Sequence, residues 1–383
     1  MLRRGGRRAL IQLRGRANKV STPLISLYSG TGGLDLGFVR AGFSPIFAND
    51  VDRFAAFNYS ALMASAGIVL PSRHFRLGDI SDDYSVIGRH EDAVLVGGPP
   101  CQGFSRAGRM DPEDPRSQHV RRFLDAVAAV RPRAFVMENV RSLALDAKWR
   151  LVRDDILRRA DNLGYASKIL VMNAADHGVP QTRHRMFLVG ITANEASEGT
   201  MQALDDAPLI TPRTIRSALS SISHFEEQEV WQHCRARIVP ASNPVTRASP
   251  FAGMLFNGQG RPLNLESVAP TLSASLGGNH TPIIDQAWLD DPSEAGTSII
   301  EYHRSVLDGG HPAVPEAWRR LSVTEAAVLQ TFPAAVSWHR TVSATLRNIG
   351  NAVPPLLAQA VADTLRTALA GGTTERQDRT LAA

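Results

Sequence analysis

The feature that most constrains the fold of this chain is a regular alternation of short apolar runs with helical patterns between about residues 23 and 191. Amphipathic stretches such as residues 117–130 separate the apolar runs. This alternation predicts an α/β fold with a doubly wound, mostly parallel sheet, whose ligands bind at the carboxyl ends of the strands. The runs that predict strands are residues 24–28, 45–50, 74–80, 92–98, 133–140 and 183–191.

The strand–helix rhythm breaks after Ile191. Residues 195–315 are rich in Ser, Pro, Gly and Asn and hold few long periodic segments, which predicts a second, smaller, loop-rich domain. Periodicity returns in residues 321–332 and 351–369. We therefore expect five regions: a basic disordered tail (1–20), a first domain (21–191), the loop-rich domain (192–340), a segment that returns to the first domain (341–370) and a polar tail (371–383).

The formal charge of +5 is concentrated in the N-terminal tail. The first 19 residues contain seven basic and no acidic residues, so the rest of the chain is nearly neutral. Such a tail adds non-specific attraction to phosphates or is a simple extension. The two cysteines form no CxxC pair, which argues against a disulfide framework or a structural zinc site and fits a cytoplasmic protein. Uncharged apolar runs are too short to predict a membrane span.

A glycine-rich segment, SLYSGTGGLDLGF (residues 26–38), joins the first predicted strand to a helix. Glycines let the backbone approach a ligand closely at such a turn, but the spacing is neither GxGxxG nor that of a phosphate loop. Acids end the next two strands, at Asp50 and Asp79. Together they favour a ligand that contains adenosine, with Asp50 at the ribose diol and Asp79 at the adenine amino group. A turn without a ligand, and helix caps for the acids, remain alternatives.

The segment PPCQGFSRAGR (residues 99–109) places Cys101 on a stiff turn, because proline fixes its own φ. A thiol becomes a nucleophile where its thiolate is favoured, for instance close to basic groups such as Arg106 and Arg109. An inert buried cysteine is the alternative, and this motif alone does not decide between them.

Two further motifs carry candidate chemical groups. Glu138 in MENV ends a predicted strand, where a carboxyl held partly out of water has a raised pKa and can donate a proton. Arg183 and Arg185 in QTRHR lie two residues apart, hence on one face of a strand, where they can hold an anion or a carbonyl oxygen. A solvated pair of arginines is the alternative.

Taken in order, the motifs SGTGG, NDVD, GDI, PPCQGFS, ENV, QTRHR, RLSVTEAAVLQTFP and GNAVP resemble those of the DNA (cytosine-5) methyltransferases of prokaryotic type. The resemblance covers nearly all of residues 23–370. It implies an S-adenosylmethionine-dependent methyltransferase fold, with catalysis and cofactor binding in residues 21–191 and target recognition in residues 192–340. The implied reaction transfers a methyl group from S-adenosyl-L-methionine to carbon 5 of a cytosine in a specific double-stranded DNA sequence. S-adenosyl-L-homocysteine is the other product, and no metal is implied.

The resemblance also implies roles for individual residues. Cys101 would add to carbon 6 of a flipped-out cytosine, and Glu138 would protonate or hydrogen-bond ring nitrogen 3. Arg185 would bind the exocyclic oxygen, while Arg183 would stabilise the same pocket and the neighbouring phosphates. The implied cofactor-binding residues are Tyr28, Ser29, Gly30, Gly32, Gly33, Leu34, Asp50, Val51, Asp79, Ile80, Pro100, Asn351 and Val353.

This chain departs from the family pattern at three of these motifs. Tyr28 stands where the family usually has Phe, and Asp50 where it usually has Glu, so the aromatic ring and the carboxylate are both kept. Thr331 stands where the family usually has Gly, and we expect a structural role for it.

DNA contacts are expected in an arginine-rich stretch of the second domain. Residues 192–318 are acidic overall, but residues 230–265 contain four arginines and no acid. A tRNA methyltransferase and a non-catalytic regulator are the alternatives; the long variable region favours DNA, and the complete catalytic set favours an enzyme. We expect a monomer that acts alone or beside a separate restriction endonuclease. The predicted DNA-binding residues are Gln102, Ser105, Arg106, Arg235, Arg237, Arg247 and Arg261.

Overall fold

A seven-stranded sheet forms the centre of the protein in the computed structural model, which describes residues 21–71, 73–80, 83–100, 104 and 118–381. The strand order is β3-β2-β1-β4-β5-β7-β6, and every strand is parallel except β7, which runs antiparallel to both of its neighbours. The predicted α/β class with a mostly parallel sheet is confirmed. The strands are β1 (Pro23–Leu27), β2 (Ser44–Asp50), β3 (Phe75–Leu77), β4 (Val94–Gly97), β5 (Ala134–Val140), β6 (Tyr165–Asn173) and β7 (His184–Thr192).

Five helices lie in the first predicted domain (residues 21–191), which we call the first lobe. They are α1 (Gly33–Arg40), α2 (Arg53–Ser65), α3 (His119–Val130), α4 (Arg141–Leu145) and α5 (Arg150–Asn162). Apolar side chains alternate between the two faces of the sheet because successive residues of a strand point to opposite sides. In β1, Leu24 packs in the core beside α1, whereas Ile25 packs in the core beside α3 and α5. The sheet is therefore covered on both faces, as a parallel sheet requires.

The second region adds α6 (Glu198–Ala203), which packs against the core that contains α1, and a set of short elements, most of which share one core with helix α2. This set is α7 (Ile215–Leu219), β8 (Pro240–Val245), β9 (Met254–Phe256), β10 (Ile283–Asp285), α8 (Gln286–Asp290), α9 (Thr297–Leu307), β11 (Trp318–Arg320) and α10 (Val323–Leu329). β8 pairs with β9, and β10 with β11, both antiparallel. The core around Trp318 extends to Tyr59 and Met63 of α2, which joins the two lobes. The assignment of catalysis and cofactor binding to residues 21–191, and of target recognition to residues 192–340, stays a prediction.

The C-terminal segment consists of α11 (Val342–Asn351) and α12 (Pro355–Leu381), and α12 packs along α1. α12 continues to Leu381, through the first residues of the segment predicted to be a polar tail. A glycine costs only about 1 kcal/mol in a helix, so Gly371 and Gly372 do not have to end it when helix-forming Glu, Arg and Gln follow. No helix in the described ranges is both long and apolar enough to cross a membrane.

Close packing of α1 on α12 explains a glycine in the middle of a helix. A Cβ on Gly37 would overlap the Cβ of Ala358 and lie close to the backbone nitrogen of Gln359. Gly37 is therefore the residue that lets the two helices approach each other.

We expect Gly37→Ala to lower the free energy of unfolding by about 1–3 kcal/mol, because overpacking outweighs the gain in helix propensity. Gly371→Ala is the matched control, since Gly371 is a helical glycine of α12 and nothing lies within 4 Å of its Cβ position. Chemical denaturation should show the control equal to or more stable than the wild type. Equal stability of Gly37→Ala and the wild type would contradict this packing argument.

Candidate active site

The candidate active site lies at the carboxyl edge of the sheet, where the strand order changes direction. From β1 the chain proceeds outward to β2 and β3, and then returns to β4 on the other side of β1. Crevices at such switch points are the usual ligand sites of doubly wound sheets. The loop after β1, Asp50 at the end of β2 and Pro100 after β4 all meet there.

The loop after β1 is fixed to the end of β2 by the carboxylate of Asp50. Its Oδ2 accepts a hydrogen bond from the backbone nitrogen of Gly30 at 2.8 Å, and its Oδ1 accepts one from the nitrogen of Asp52 at 2.8 Å. Burial raises the pKa of Asp50, and these backbone donors oppose that rise. Ser29 adds a second tie, since its Oγ accepts from the nitrogen of Asn49 at 3.0 Å. The loop is therefore pre-shaped.

The glycines of this loop serve different purposes. A Cβ on Gly33 would overlap the carbonyl oxygen of Val353, and one on Gly32, whose φ is +85°, would lie 2.8 Å from the Tyr59 ring. These two glycines let the C-terminal segment and α2 pack against the loop. Gly30 differs, because its φ of +54° is combined with open space around its Cβ position. Gly30 therefore exposes backbone to the crevice.

Some side chains around the crevice are exposed to a ligand, whereas others are buried in the cores. Val51 is 67% exposed beside Asp50, so its apolar side chain is accessible to a ligand. Asp79 lies 3.8 Å from the Arg122 guanidinium. Leu34 and Ile80 point into the cores, so only their backbones are available to a ligand.

Tyr28 lies at the start of the loop, and Asn351 precedes the C-terminal residues that contact Gly33. Tyr28 has a φ of +55°, which is rare for a residue with a side chain and marks strain at this turn. Its hydroxyl lies 3.2 Å from Nδ1 of His119, and burial raises its pKa. Asn351 is exposed at the end of α11, just before the segment that meets Gly33.

Glu138 and Arg185 form a nearly buried ion pair next to the end of β4. Arg185 Nε lies 2.8 Å from Glu138 Oε1, and the two side chains are 15% and 12% exposed. The pair is diagonal across the antiparallel strands β5 and β7, where Val140 opposes Arg185. A Cβ on Gly98 would lie 3.2 Å from Glu138 Oε2, so the end of β4 adjoins the carboxyl. Burial raises the pKa of Glu138, while Arg185 and then Arg183 lower it.

The end of β5 and the start of α4 hold the chain on both sides of Cys101. Asn139 Nδ2 donates to the carbonyl oxygen of Pro99 at 3.1 Å. Ser142 Oγ donates to the carbonyl oxygen of Phe104 at 2.7 Å, and the buried Phe104 ring packs edge-on against Trp149. The flanks of the cysteine are therefore tied to the strand that carries Glu138. Cys101, Gln102, Ser105, Arg106 and the predicted basic tail lie outside the described residues.

Arg183 holds the two lobes together. Its guanidinium is fully buried and donates to the carbonyl oxygens of Leu272 at 2.7 Å, Gly350 at 2.8 Å and Ala352 at 3.0 Å. The predicted contact of Arg183 with DNA phosphates is therefore corrected, since a buried side chain presents no surface to them. Its influence on Glu138 remains, because it is among the positive charges that lower the pKa of that carboxyl.

Asp35 is a buried acid that the sequence analysis missed. It is 0% exposed, and its two oxygens accept hydrogen bonds from Ser26 Oγ and Tyr59 OH, both at 2.9 Å. Burial raises its pKa to about 6. Because the Tyr59 ring also supports Gly32, Asp35 links β1 and α2 underneath the glycine loop. An acid between Leu34 and Leu36 in an otherwise apolar segment was the available signal.

We expect Asp35→Asn to remove a pH dependence of stability. The pKa of Asp35 is raised in the folded state, so its contribution is complete below the unfolded value of 3.8 and is lost as the pH rises through about 6. Between about pH 4 and pH 7 the wild type should lose about 2 kcal/mol relative to Asp35→Asn in urea unfolding. Asp308→Asn, at an exposed acid, should follow the wild type. Parallel curves for all three proteins would refute the assignment.

The four arginines predicted to contact DNA in residues 230–265, namely Arg235, Arg237, Arg247 and Arg261, are all exposed. The nearby Arg320 is buried instead and donates to the carbonyl oxygen of Thr281 and to Oδ1 of Asn257. Arg320 thus organises the loops on which exposed arginines are displayed.

The sheet and its edge site define the class of protein: an α/β methyltransferase. A putative DNA modification methyltransferase encoded within an E. coli prophage shares this fold with a TM-score of 0.64 and 21% identity, covering 91% of this chain and 99% of its own. The S. pombe Dnmt2 methyltransferase has a TM-score of 0.60 and 18% identity, covering 90% and 99%. At these identities the likeness shows the fold.

The chain belongs to the family described as C-5 cytosine-specific DNA methylase, whose model matches residues 23–367. The Type II methyltransferase M.XorII of Xanthomonas oryzae pv. oryzae is 30% identical over 370 residues, which cover 90% of this chain and 84% of that protein. The Type II methyltransferase M1.HphI of Haemophilus parahaemolyticus is 31% identical over 359 residues, covering 90% and 86%. The predicted activity, S-adenosylmethionine-dependent methylation of cytosine in DNA at carbon 5, is confirmed at the level of the family.

Proposed function

We propose that this enzyme modifies a cytosine within a specific double-stranded DNA sequence through a covalent bond between Cys101 and a flipped-out base. The observation that carries the proposal is the Glu138–Arg185 pair, nearly buried at the carboxyl edge of the sheet and tied through Asn139 to Pro99. Relatives named Type II methyltransferases support a role as the modification enzyme of a restriction-modification system. An orphan methylase is the other form of the same function.

The chemistry assigns one task to each residue. The Cys101 thiolate forms a bond to carbon 6 of the ring, and the displaced electron pair makes carbon 5 nucleophilic. Glu138 supplies a proton or a hydrogen bond to ring nitrogen 3, for which a raised pKa is favourable. Arg185 binds the exocyclic oxygen. After methylation, loss of the carbon 5 proton returns the electron pair that expels the thiolate.

The base has to leave the helix for this reaction, because a thiol cannot reach carbon 6 inside a stacked duplex. Hydrogen bonds from Asn139 and Ser142 to Pro99 and Phe104 join the chain on both sides of Cys101 to β5 and α4. We further propose that Gln102, Ser105 and Arg106 contact the DNA around the vacated position.

The crevice fits S-adenosylmethionine. Gly30 presents open backbone, Val51 presents an exposed apolar surface that suits an adenine ring, and Asp50 keeps carboxylate lone pairs for a ribose diol. The cofactor supplies an electrophilic methyl group. The residues proposed to hold it are Tyr28, Ser29, Gly30, Gly32, Gly33, Leu34, Asp50, Val51, Asp79, Ile80, Pro100, Asn351 and Val353.

Labelled methyl transfer to defined nucleic acids tests the proposal. We expect incorporation from labelled S-adenosylmethionine into double-stranded DNA and none into tRNA. Bisulfite sequencing of DNA from a methylation-free host that expresses the chain should then show modified cytosines within one recurring sequence. Incorporation into tRNA alone, or modified cytosines without a shared sequence, would contradict it.

A further inference from the structure

A cavity of about 370 Å³ lies at the end of the two-stranded ribbon β8–β9. Val245 and Met254 are the last residue pair of the ribbon before its connecting loop, and both line the cavity. Arg247 in the loop and Arg261 after β9 also line it. We call this feature the ribbon cavity; its remaining lining residues are Ala248, Ser249, Ala252 and Gly253.

The two arginines of the ribbon cavity lack acidic partners within the described part of the chain. No acid lines the cavity, and neither arginine forms an ion pair with a described residue. Two arginines that line one recess, without an acid among the lining residues, are suited to an anion or to a pair of hydrogen-bond acceptors.

The backbone of both arginines is held in place, which favours a preformed site. His303 of α9 is 5% exposed, and its Nε2 donates to the carbonyl oxygen of Arg247 at 2.8 Å. The nitrogen of Ile283 in β10 donates to the carbonyl oxygen of Arg261 at 2.8 Å. Gly253 closes the loop onto β8, since its φ is +86° and any Cβ would overlap the carbonyl oxygen of Val245.

The ribbon has the form of an element that reads DNA. An antiparallel two-stranded ribbon fits the major groove, and β8 is largely exposed along its length. A guanidinium binds guanine through the adjacent acceptors O6 and N7, and it binds two phosphate oxygens with similar geometry. The recess and its two arginines match both.

We propose that the ribbon cavity binds a pair of adjacent acceptors of the target DNA through Arg247 and Arg261. The inference rests on the proposed function and adds to it the location and chemistry of one recognition element.

Methylation-site sequencing of single variants tests the proposal. Arg247→Ala and Arg261→Ala should each change site selection or affinity by about 10-fold or more relative to the wild type. Arg213→Ala is the matched control, because Arg213 is an exposed arginine of the same region outside the cavity. Unmodified DNA from the wild type would contradict the proposed function itself. If the wild type methylates DNA and the Arg247 and Arg261 variants keep its site selection and affinity, only this inference is overturned.

Two further measurements distinguish a base edge from a phosphate as the source of the acceptors. If a base edge is bound, the recognised sequence relaxes at one position, and Arg→Lys at the same residue relaxes it as well, because lysine lacks the planar fork. If a phosphate is bound, affinity falls equally for all sequences, the salt dependence weakens by about one charge, and Arg→Lys restores binding. Either result supports the ribbon cavity as a DNA-binding element. Variants with the sequence preference and salt dependence of Arg213→Ala overturn it.

Discussion

Replacing Cys101 by serine should lower methyl transfer by roughly 10³-fold or more, because a hydroxyl supplies almost no anionic nucleophile at neutral pH. Binding of S-adenosylmethionine should remain, since the ties at Pro99 and Phe104 involve neither the thiol nor its replacement. Initial rates of methyl incorporation, together with calorimetric titration of the cofactor, measure the two effects separately.

The second cysteine provides the control for this experiment. Cys234 is half-buried, with its Sγ 3.6 Å from Thr281 Oγ1, and Cys234→Ser should retain the wild-type rate. DNA that carries 5-fluorocytosine at the target lacks the proton whose loss expels the enzyme, so it should trap the wild type and Cys234→Ser covalently but not Cys101→Ser. Transfer by Cys101→Ser at the wild-type rate would disprove the proposed nucleophile.

The strands of the sheet could be predicted because each strand is marked by residues within its own short stretch of sequence. Buried parallel strands such as β4 and β5 are apolar runs bounded by glycine or polar residues, and a run of that kind can be recognised without knowledge of its neighbours. Helix α11 (Val342–Asn351) was not assigned from the sequence, and it begins without a capping side chain.

The candidate site was predictable as a set of strand ends and unpredictable in its contacts. Glu138 and Arg185 meet because β7 pairs antiparallel with β5, a register that depends on the whole sheet. Arg183 looked equivalent to Arg185 in the sequence, yet its guanidinium lies among three carbonyl oxygens supplied by residues about 90 and 170 positions away. Such long-range partners leave no local signal.

Glu138→Gln should lower kcat by about 100-fold or more with little change in cofactor binding, because glutamine keeps the shape and the acceptor for Arg185 but cannot transfer a proton. The pKa of Glu138 is raised by burial, so its protonated form persists to higher pH than that of an ordinary glutamate and is lost as the pH rises further. The wild-type kcat should therefore fall on the alkaline side of its profile. The variant should lack that fall. Single-turnover rates across a pH series measure both the loss and the change of profile.

Glu325→Gln separates this catalytic role from the general cost of disturbing a buried ion pair. Glu325 is 2% exposed, and its Oε1 lies 2.6 Å from Arg319 Nη2, so the two glutamates have similar surroundings, although Glu325 also caps α10. Glu325→Gln should lower stability without altering the pH profile of kcat measured on folded protein. A loss confined to stability in Glu138→Gln as well, with the wild-type kcat and profile, would make the Glu138–Arg185 pair structural and leave the proton for ring nitrogen 3 to another donor.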